Sequence, residues 1–391
     1  MDVSVASAAA FGTRLDLEDE VFGPDALDPA IATALAATAA DRGPARELSP
    51  FEFLPGWLTY GPVVVQWIAL GLRYGDFSLP TAANPRITTG GLCGESKSAI
   101  LDEMQGAPRS LVAPYVTMVT GACDPTEARL LMREAGLSLP LVIKPDIGCN
   151  GTGVRLVESE AELDLALASF PRNVRLMLQR LIPWECEAGI FYIRHPNDAA
   201  GHISSLTLKH APMVIGDGVS SLRALIEADP RHRRLKHLYL ARLGAALDRV
   251  PEEGERVRLV FAGNHCKGSI FRNGASDITP ALTARIDEVA RAMPDFHFGR
   301  IDVRFRSLAD LRDGRDFAII EINGVGSEAT HIWDPDTSLR EVFAAQFHHY
   351  GTAFEIGREM RRRGARPSGA LTMLRDWLNQ RRLLASYPLN D

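Results

Sequence analysis

The stretch FAIIEINGVGSEATHIWD, residues 317–334, begins as an apolar run of strand type and dissolves into glycine and polar residues. Side chains alternate along a strand, so Phe317, Ile319, Glu321 and Asn323 are predicted to share one face. A carboxylate and an amide then stand where a core strand would carry Ile or Val. Burying them without a polar partner is costly, and the partner lies just upstream. GRIDVRF, residues 299–305, alternates cleanly: Arg300, Asp302 and Arg304 on one face, Ile301, Val303 and Phe305 on the other. Asp313-Gly314 in the connector is a turn signal, so the two runs are predicted to form a long hairpin. Folding it about Leu311 and Arg312 brings Asp302 opposite Glu321 or close to it. Like charges directly opposite destabilise a strand pair. A divalent cation between them removes the conflict, and Asp302, Glu321 and Asn323 are hard oxygen donors that suit magnesium, with manganese as the alternative, rather than zinc. The other resolution is an ion pair with Arg300 or Arg304.

Magnesium held by so few carboxylates usually borrows phosphate oxygens. LVIKPDIGCNGTGV, residues 141–154, offers a phosphate-facing element. Pro145 keeps Lys144 extended at the end of a short buried strand, and Gly148, Gly151 and Gly153 follow in a loop with little side-chain bulk. Such a loop can lay backbone N–H groups against phosphate, although a plain glycine-rich turn reads the same way. GLCGESKS, residues 91–98, is close to a Walker A pattern, but Ser96 replaces the second glycine and no apolar strand precedes it, which argues against a P-loop fold. Lys97 starts a helix there and can still reach a phosphate.

The remaining chain of 391 residues reads as α+β, with strands near 139–145, 154–157, 175–181, 188–194, 257–262 and 269–271. Helices are expected over 159–170, where SEAE is a capping box, after a cap near Ser220, and over 280–293. Residues 1–50 read as a weakly ordered or appended arm, 51–90 as an apolar helical segment and linker, 91–357 as the main domain, and 358–391 as a basic amphipathic helix. The net charge of −6 argues against general nucleic-acid binding. Five cysteines without a CxxC pair, and no signal-peptide pattern, are read as cytoplasmic.

In this order, Lys97, Lys144 with its glycine loop, QRLIPWECE, GRID and EIN resemble the ATP-grasp family over roughly residues 90–335. IGDGVSSLRALI with the segment EGERVRLVFAGNHCKGSIF is similar to the central part of cyanophycin-synthetase-type ligases, and the GRID and EIN pair to D-alanine–D-alanine ligases. The resemblance implies two α+β subdomains clasping ATP and a carboxylate–amine ligase working through an acyl phosphate. It implies that Lys97 and Lys144 hold ATP phosphates under the loop of Gly148, Gly151 and Gly153. Gln179 and the Leu181 backbone would meet adenine, with Glu187 (or its rival Glu185) on the ribose. Lys209 would be a further nucleotide contact or else a solvated surface lysine. Asp302, Glu321 and Asn323 would hold magnesium, and Arg300 would steady the oxyanion of the tetrahedral intermediate. The usual preceding Rossmann-like domain and the proline-glycine acceptor loop are not visible, so no D-alanine substrate is implied.

Past Asn323, the acceptor side is expected at Ser327, Glu328 and His331. Glu328 would hold an ammonium group, or else cap a turn or pair with an arginine such as Arg304. Two segments leave a peripheral contact with the inner membrane surface open. The apolar residues 53–72 read as a buried helix with Pro62 in its first turn, or as an interfacial one. The basic C-terminal helix, with Leu371, Leu374, Trp377 and Leu378, packs on the main domain or lies on anionic lipid. Small carboxylate and amine substrates are the expected partners. An ATP-grasp kinase acting on a hydroxyl and a nucleotide-binding regulator are the competing functions.

Overall fold

The computed structural model describes residues 51–121 and 124–388; the arm expected at 1–50 lies outside them. Eleven strands are present among the described residues, in chain order β1 (Tyr115–Val119), β2 (Leu141–Pro145), β3 (Arg155–Val157), β4 (Arg175–Arg180), β5 (Cys186–Ile193), β6 (His202–His210), β7 (Met213–Ile215), β8 (Arg256–Arg258), β9 (Ile270–Asn273), β10 (Phe298–Phe305) and β11 (Phe317–Asn323). They form a four-stranded sheet of order β1-β4-β2-β3, a five-stranded sheet β11-β10-β5-β6-β9 and the pair β7-β8. Every ladder is antiparallel. The expected α+β class holds.

Each large sheet buries an apolar face under helices. On the smaller one, Leu141, Ile143, Leu176 and Leu178 pack with Ala128, Met132, Leu163 and Leu167 of helices Asp124–Glu134 and Glu160–Ser169. On the larger one, Ile190, Ile301, Val303, Ile319 and Ile322 meet Leu282, Ile286 and Val289 of helix Pro280–Arg291. Its other face receives Ala353 and Ile356 of helix Leu339–Arg362 against Phe191 and Phe298. Burial of this apolar surface is the main stabilising contribution.

The β10–β11 hairpin departs from strict alternation at the decisive point. Asp302 pairs with Glu321 as expected, but the next pair is Val303 with Ile319, so Ile320 has no partner on β10. This β-bulge flips the side-chain phase. Phe317, Ile319 and Ile322 enter one core, and Glu321 and Asn323 turn to the face of Asp302 and Arg300. The four residues predicted to share one face are thus split two and two. Without the bulge, Glu321 and Asn323 would point into the core with Ile319. The connector holds a short helix, Leu308–Arg312, capped by Ser307, rather than a simple fold about Leu311 and Arg312.

Other expectations are corrected in detail. The predicted strand at 257–262 is strand only in β8, Arg256–Arg258. Ser159 accepts from the Glu162 N–H, but the Glu162 carboxylate takes the N–H of Glu158, so the capping box is displaced by one residue. Helix Gly56–Tyr74 starts beside Pro55, one turn earlier than predicted, and runs through Pro62. It is not buried: Trp57, Val65 and Leu72 are exposed, and it packs through Trp67 on Tyr350 and Phe354. Among the described residues, no helix is long and apolar enough to cross a membrane. The expected boundary at 357/358 falls inside helix Leu339–Arg362, whose buried stripe continues to Met360. The last helix, Ala370–Ser386, leaves Leu371, Leu374, Trp377 and Leu378 exposed and docks instead through Gln380, Leu383 and the following Tyr387.

Asn84 ties the segment before Lys97 to the larger sheet. Its amide donates to Phe298 O (2.7 Å) and Gly90 O (3.1 Å), and its oxygen accepts from His297 N (2.9 Å) and Phe298 N (3.2 Å). Removing this side chain takes a hydrogen bond from four backbone groups, of which Gly90 O keeps its bond from Val325 N. Asn84→Ala is expected to destabilise the protein by about 2–3 kcal/mol, measured as a lowered denaturant midpoint with unchanged slope.

Candidate active site

Two glycine pairs set the entry to the site. Gly324 and Gly326 follow β11, and Val325 and Gly326 donate to Gly90 O and Gly91 O at 3.0 and 2.7 Å. A Cβ on Gly91 would lie 2.6 Å from the Gly324 Cα, so the backbones meet only because both residues lack one. The contact brings the Lys97 helix alongside β11. Ser96 caps that helix. Asp146, after β2, accepts from Ser96 Oγ (2.5 Å) and Ser98 N (2.8 Å), fixing Lys97 against the glycine loop.

Lys97, 9% exposed, reaches Glu321 Oε1 at 3.0 Å and donates to Gly148 O at 2.7 Å. Lys144 spans the two large sheets: from β2 its Nζ donates to Gln179 Oε1 on β4 and to Ile320 O on β11, both at 2.9 Å. The acceptor on β11 is the carbonyl of the bulged residue. Lys209 lies between Glu187 Oε1 and Asp302 Oδ1, 2.9 Å from each. It is therefore a buried network residue; the solvated-lysine reading is overturned. Arg300 lays Nε and Nη2 on Asp302 at 3.0 Å and reaches Glu328 O with Nη1 at 3.2 Å.

Three cations thus pair with three carboxylates, Lys97 with Glu321, Lys209 with Glu187 and Asp302, and Arg300 with Asp302, while Lys144 acts on Glu321 through its charge. Burial opposes the charge on Asp302, but Arg300 and Lys209 outweigh it and hold the carboxyl at about 2. Glu321 is likewise held down by Lys97 and Lys144 against burial. Burial lowers the Lys144 ammonium to about 8. Burial also pushes Glu95 and Glu328 up, toward their neutral forms. The excess of positive charge suits a polyanion.

Asp302, Glu321 and Asn323 come together, with the Asn323 amide donating to Asp302 Oδ2 at 3.1 Å. Two carboxylates and an amide oxygen fit magnesium by donor chemistry. Among the described residues, no group of three His, Cys, Asp or Glu side chains is placed to hold a metal. Here the carboxylates face Lys97, Lys209 and Arg300, so the ion-pair alternative, through Arg300, is what this conformation contains. Arg304 goes elsewhere, donating to Ile182 O at 2.8 Å over the Phe261 ring.

In the loop, Gly151 and Gly153 have φ of +68° and +74°, and a Cβ at Gly153 would lie 2.9 Å from Pro145. Tyr387 braces the loop by donating to Ile147 O at 2.9 Å. Gln179 is buried with its oxygen committed to Lys144, an arrangement unlike the adenine contact expected of it. Leu181 lies just past β4, half-buried. Glu187 faces Lys209 across β5–β6, whereas Glu185 is exposed.

Of the acceptor set, Ser327 is buried with its hydroxyl on Gly324 O (2.6 Å). Glu328 neither caps a turn nor pairs with Arg304; Trp333 Nε1 donates to its carboxylate at 3.2 Å. His331 has its ring pKa lowered by burial, and its Nδ1 lacks a hydrogen-bond partner. Sequence reasoning missed Asn84, Asp146, Trp333 and Tyr387. The Gly90-Gly91 and Gly324-Val325-Gly326 runs were the available signal for the close approach.

Replacing Lys209 removes the ammonium that links Glu187 to Asp302 and leaves buried carboxylate undercompensated. Lys209→Met is expected to cost about 3–5 kcal/mol of stability, read by urea denaturation; a surface lysine would cost under about 1 kcal/mol.

No protein-family model matches the chain, and no curated protein matches it. Among solved structures, it is similar to D-alanine–D-alanine ligase from Bacillus anthracis (12% identity, TM-score 0.39, 71% of each chain covered). It is also similar to VanG D-Ala:D-Ser ligase from Enterococcus faecalis (14% identity, TM-score 0.38, 68% of this chain and 63% of that one). A bifunctional glutathione synthetase from Pasteurella multocida matches at 17% identity and TM-score 0.33, with 62% of this chain and 34% of that chain covered. The chain thus spans about a third of that synthetase's length and just under two thirds of VanG's. In this chain the site is made by two antiparallel sheets, with Lys144 from the smaller one, Lys97 from its helix, and a carboxylate edge on the larger one.

Proposed function

We propose that the protein is an ATP-dependent ligase that converts a substrate carboxylate to an acyl phosphate and joins it to an amine, releasing ADP and phosphate. The observation that carries this reading is the convergence of four buried cations on the carboxylate edge of β10–β11. Phosphoryl transfer is accelerated mainly by positioning and charge neutralisation. The residues at this edge supply both, without a protein nucleophile.

In this mechanism Lys97 and Lys144 hold the phosphates of ATP, under the loop from Gly148 to Gly153. Asp302, Glu321 and Asn323 hold magnesium, which when bound neutralises phosphate charge. A substrate carboxylate oxygen attacks the γ-phosphorus, and ADP leaves. A neutral amine then attacks the acyl carbon, and the bond to phosphate breaks. Arg300 stabilises the oxygen that becomes negative in between. Glu328 holds the incoming ammonium group, and His331 orients it or accepts its proton.

The test is an ADP-release screen in which a panel of small carboxylic acids is combined with a panel of amines. Turnover that requires both supports the ligase; turnover on an alcohol alone selects the kinase. With a productive acid, ATP and hydroxylamine, a hydroxamate should accumulate in step with ADP. AMP and pyrophosphate as products would defeat the acyl-phosphate route.

Glu321→Gln keeps the shape of the side chain but removes its charge. It is expected to give a folded protein with turnover reduced at least about a hundredfold. Near-normal activity at saturating magnesium would take Glu321 out of the site.

A further inference from the structure

Helix Gly56–Tyr74 carries no charged residue from Gly56 to Leu72, yet it lies on the surface. Trp57, Val64, Val65, Ile68 and Leu72 recur at helical spacing and are all exposed. A helix this apolar is ordinarily buried; here only Thr59, Val63 and Gly71 are. Helix Ala370–Ser386 shows the same feature on one side. Leu371, Leu374 and Leu378 form a stripe and are 85%, 51% and 52% exposed, because the helix docks through Gln380 and Leu383 on its opposite side.

The two helices are neighbours. Arg361 donates to Tyr74 O (3.3 Å) at the end of the first. Ser368 and Gly369, which lead into the second, donate to Thr81 Oγ1 (2.8 Å) and Ser78 Oγ (3.2 Å) in the segment that follows the first. Apolar surface exposed on two adjoining elements marks a binding face.

The charges around it select the partner. Residues 358–391 hold eight arginines against Glu359, Asp376 and Asp391, in a chain whose net charge is −6. The Arg381 guanidinium lies over the Trp377 ring at 4.9 Å, and Arg382 donates to Asn379 at 3.1 Å; neither meets a carboxylate among the described residues. A second copy packed about a two-fold axis would set this arginine-rimmed face against itself. A layer of anionic headgroups offsets the arginines, and the acyl region below it takes up leucine and tryptophan. Among the described residues no helix is long and apolar enough to cross a membrane, so the contact is with its surface.

We propose that these two helix faces together bind the surface of a membrane that bears anionic lipid. The proposal does not depend on the ligase reading.

The experiment is co-sedimentation of the full chain with vesicles of phosphatidylcholine alone and of phosphatidylcholine mixed with phosphatidylglycerol. At low salt the mixed vesicles should pellet the protein at least about tenfold more strongly, with a blue shift of tryptophan emission. High salt should release most of it, by screening the attraction to the headgroups. Leu374→Glu with Leu378→Glu, and separately Val65→Glu with Ile68→Glu, should each weaken binding at least about tenfold. Arg381→Gln with Arg382→Gln should weaken it by about tenfold and flatten its salt dependence. All six side chains are exposed, so an unchanged thermal midpoint shows that the fold is intact. Equal pelleting with both kinds of vesicle, or pelleting indifferent to all three pairs of substitutions, overturns the proposal. So does the absence of pelleting. In that case a dimer in sedimentation equilibrium that the Leu374 and Val65 pairs dissociate assigns the faces to a second copy, and a monomer leaves them covered from within the chain.

Discussion

Asp302 and Glu321 face each other across paired strands, and the local structure is arranged around that juxtaposition. Two carboxylates in register repel, and both lie in a largely buried site. The conflict is relieved by cations brought from four separate parts of the chain: Lys97 from a helix start, Lys144 from β2, Lys209 from β6 and Arg300 from β10 itself. Burying so many charges is not an efficient route to stability, because desolvation offsets much of the Coulomb attraction. An apolar core at this position would serve the fold at least as well. The retained charges are therefore better explained by what the site binds than by what holds the sheets together.

The bulge at Ile320 makes the arrangement compatible with a core. It lets one strand feed Phe317, Ile319 and Ile322 to the apolar side while Glu321 and Asn323 face the site. It also puts the Ile320 carbonyl within 2.9 Å of the Lys144 ammonium, linking the smaller sheet to the larger one. A single extra residue thus performs two tasks, one in packing and one in electrostatics. Glycine performs the matching task for the backbone, at the Gly91–Gly324 approach and at Gly153 over Pro145.

The sequence was most legible where one physical rule acted locally. Alternation in GRIDVRF placed Arg300, Asp302 and Arg304 on one face, and the turn signal at Asp313-Gly314 gave the hairpin that pairs Asp302 with Glu321. Pro145 marked the end of β2, and Ser159 the start of a helix. What could not be read depended on distant segments. The bulge changes the face of Glu321 without any marker in FAIIEIN, because its cause is pairing with β10. Lys209 looks like any solvated lysine until β6 is placed beside β5. Gln179 had the position of an adenine contact, but its neighbour across β2–β4 is the strand that carries Lys144. Leu371, Leu374, Trp377 and Leu378 have the spacing of a buried stripe, yet the helix docks through Gln380 and Leu383. Periodicity shows that a face exists, not which face is covered.

The present ion pairs constrain how any ligand enters. Lys97 contacts Glu321, and Lys209 with Arg300 contacts Asp302. An anion that draws Lys97 toward itself takes a cation from a buried carboxylate. Leaving that carboxylate unpaired is strongly unfavourable, on the order of 3–5 kcal/mol when a buried pair is broken. A cation delivered with the anion would remove the penalty, since Glu321, Asp302 and Asn323 stand together at this edge. Anion and cation affinities at this edge are then thermodynamically linked, each raising the other by the same factor. With neither present, the lysines hold the carboxylates in place.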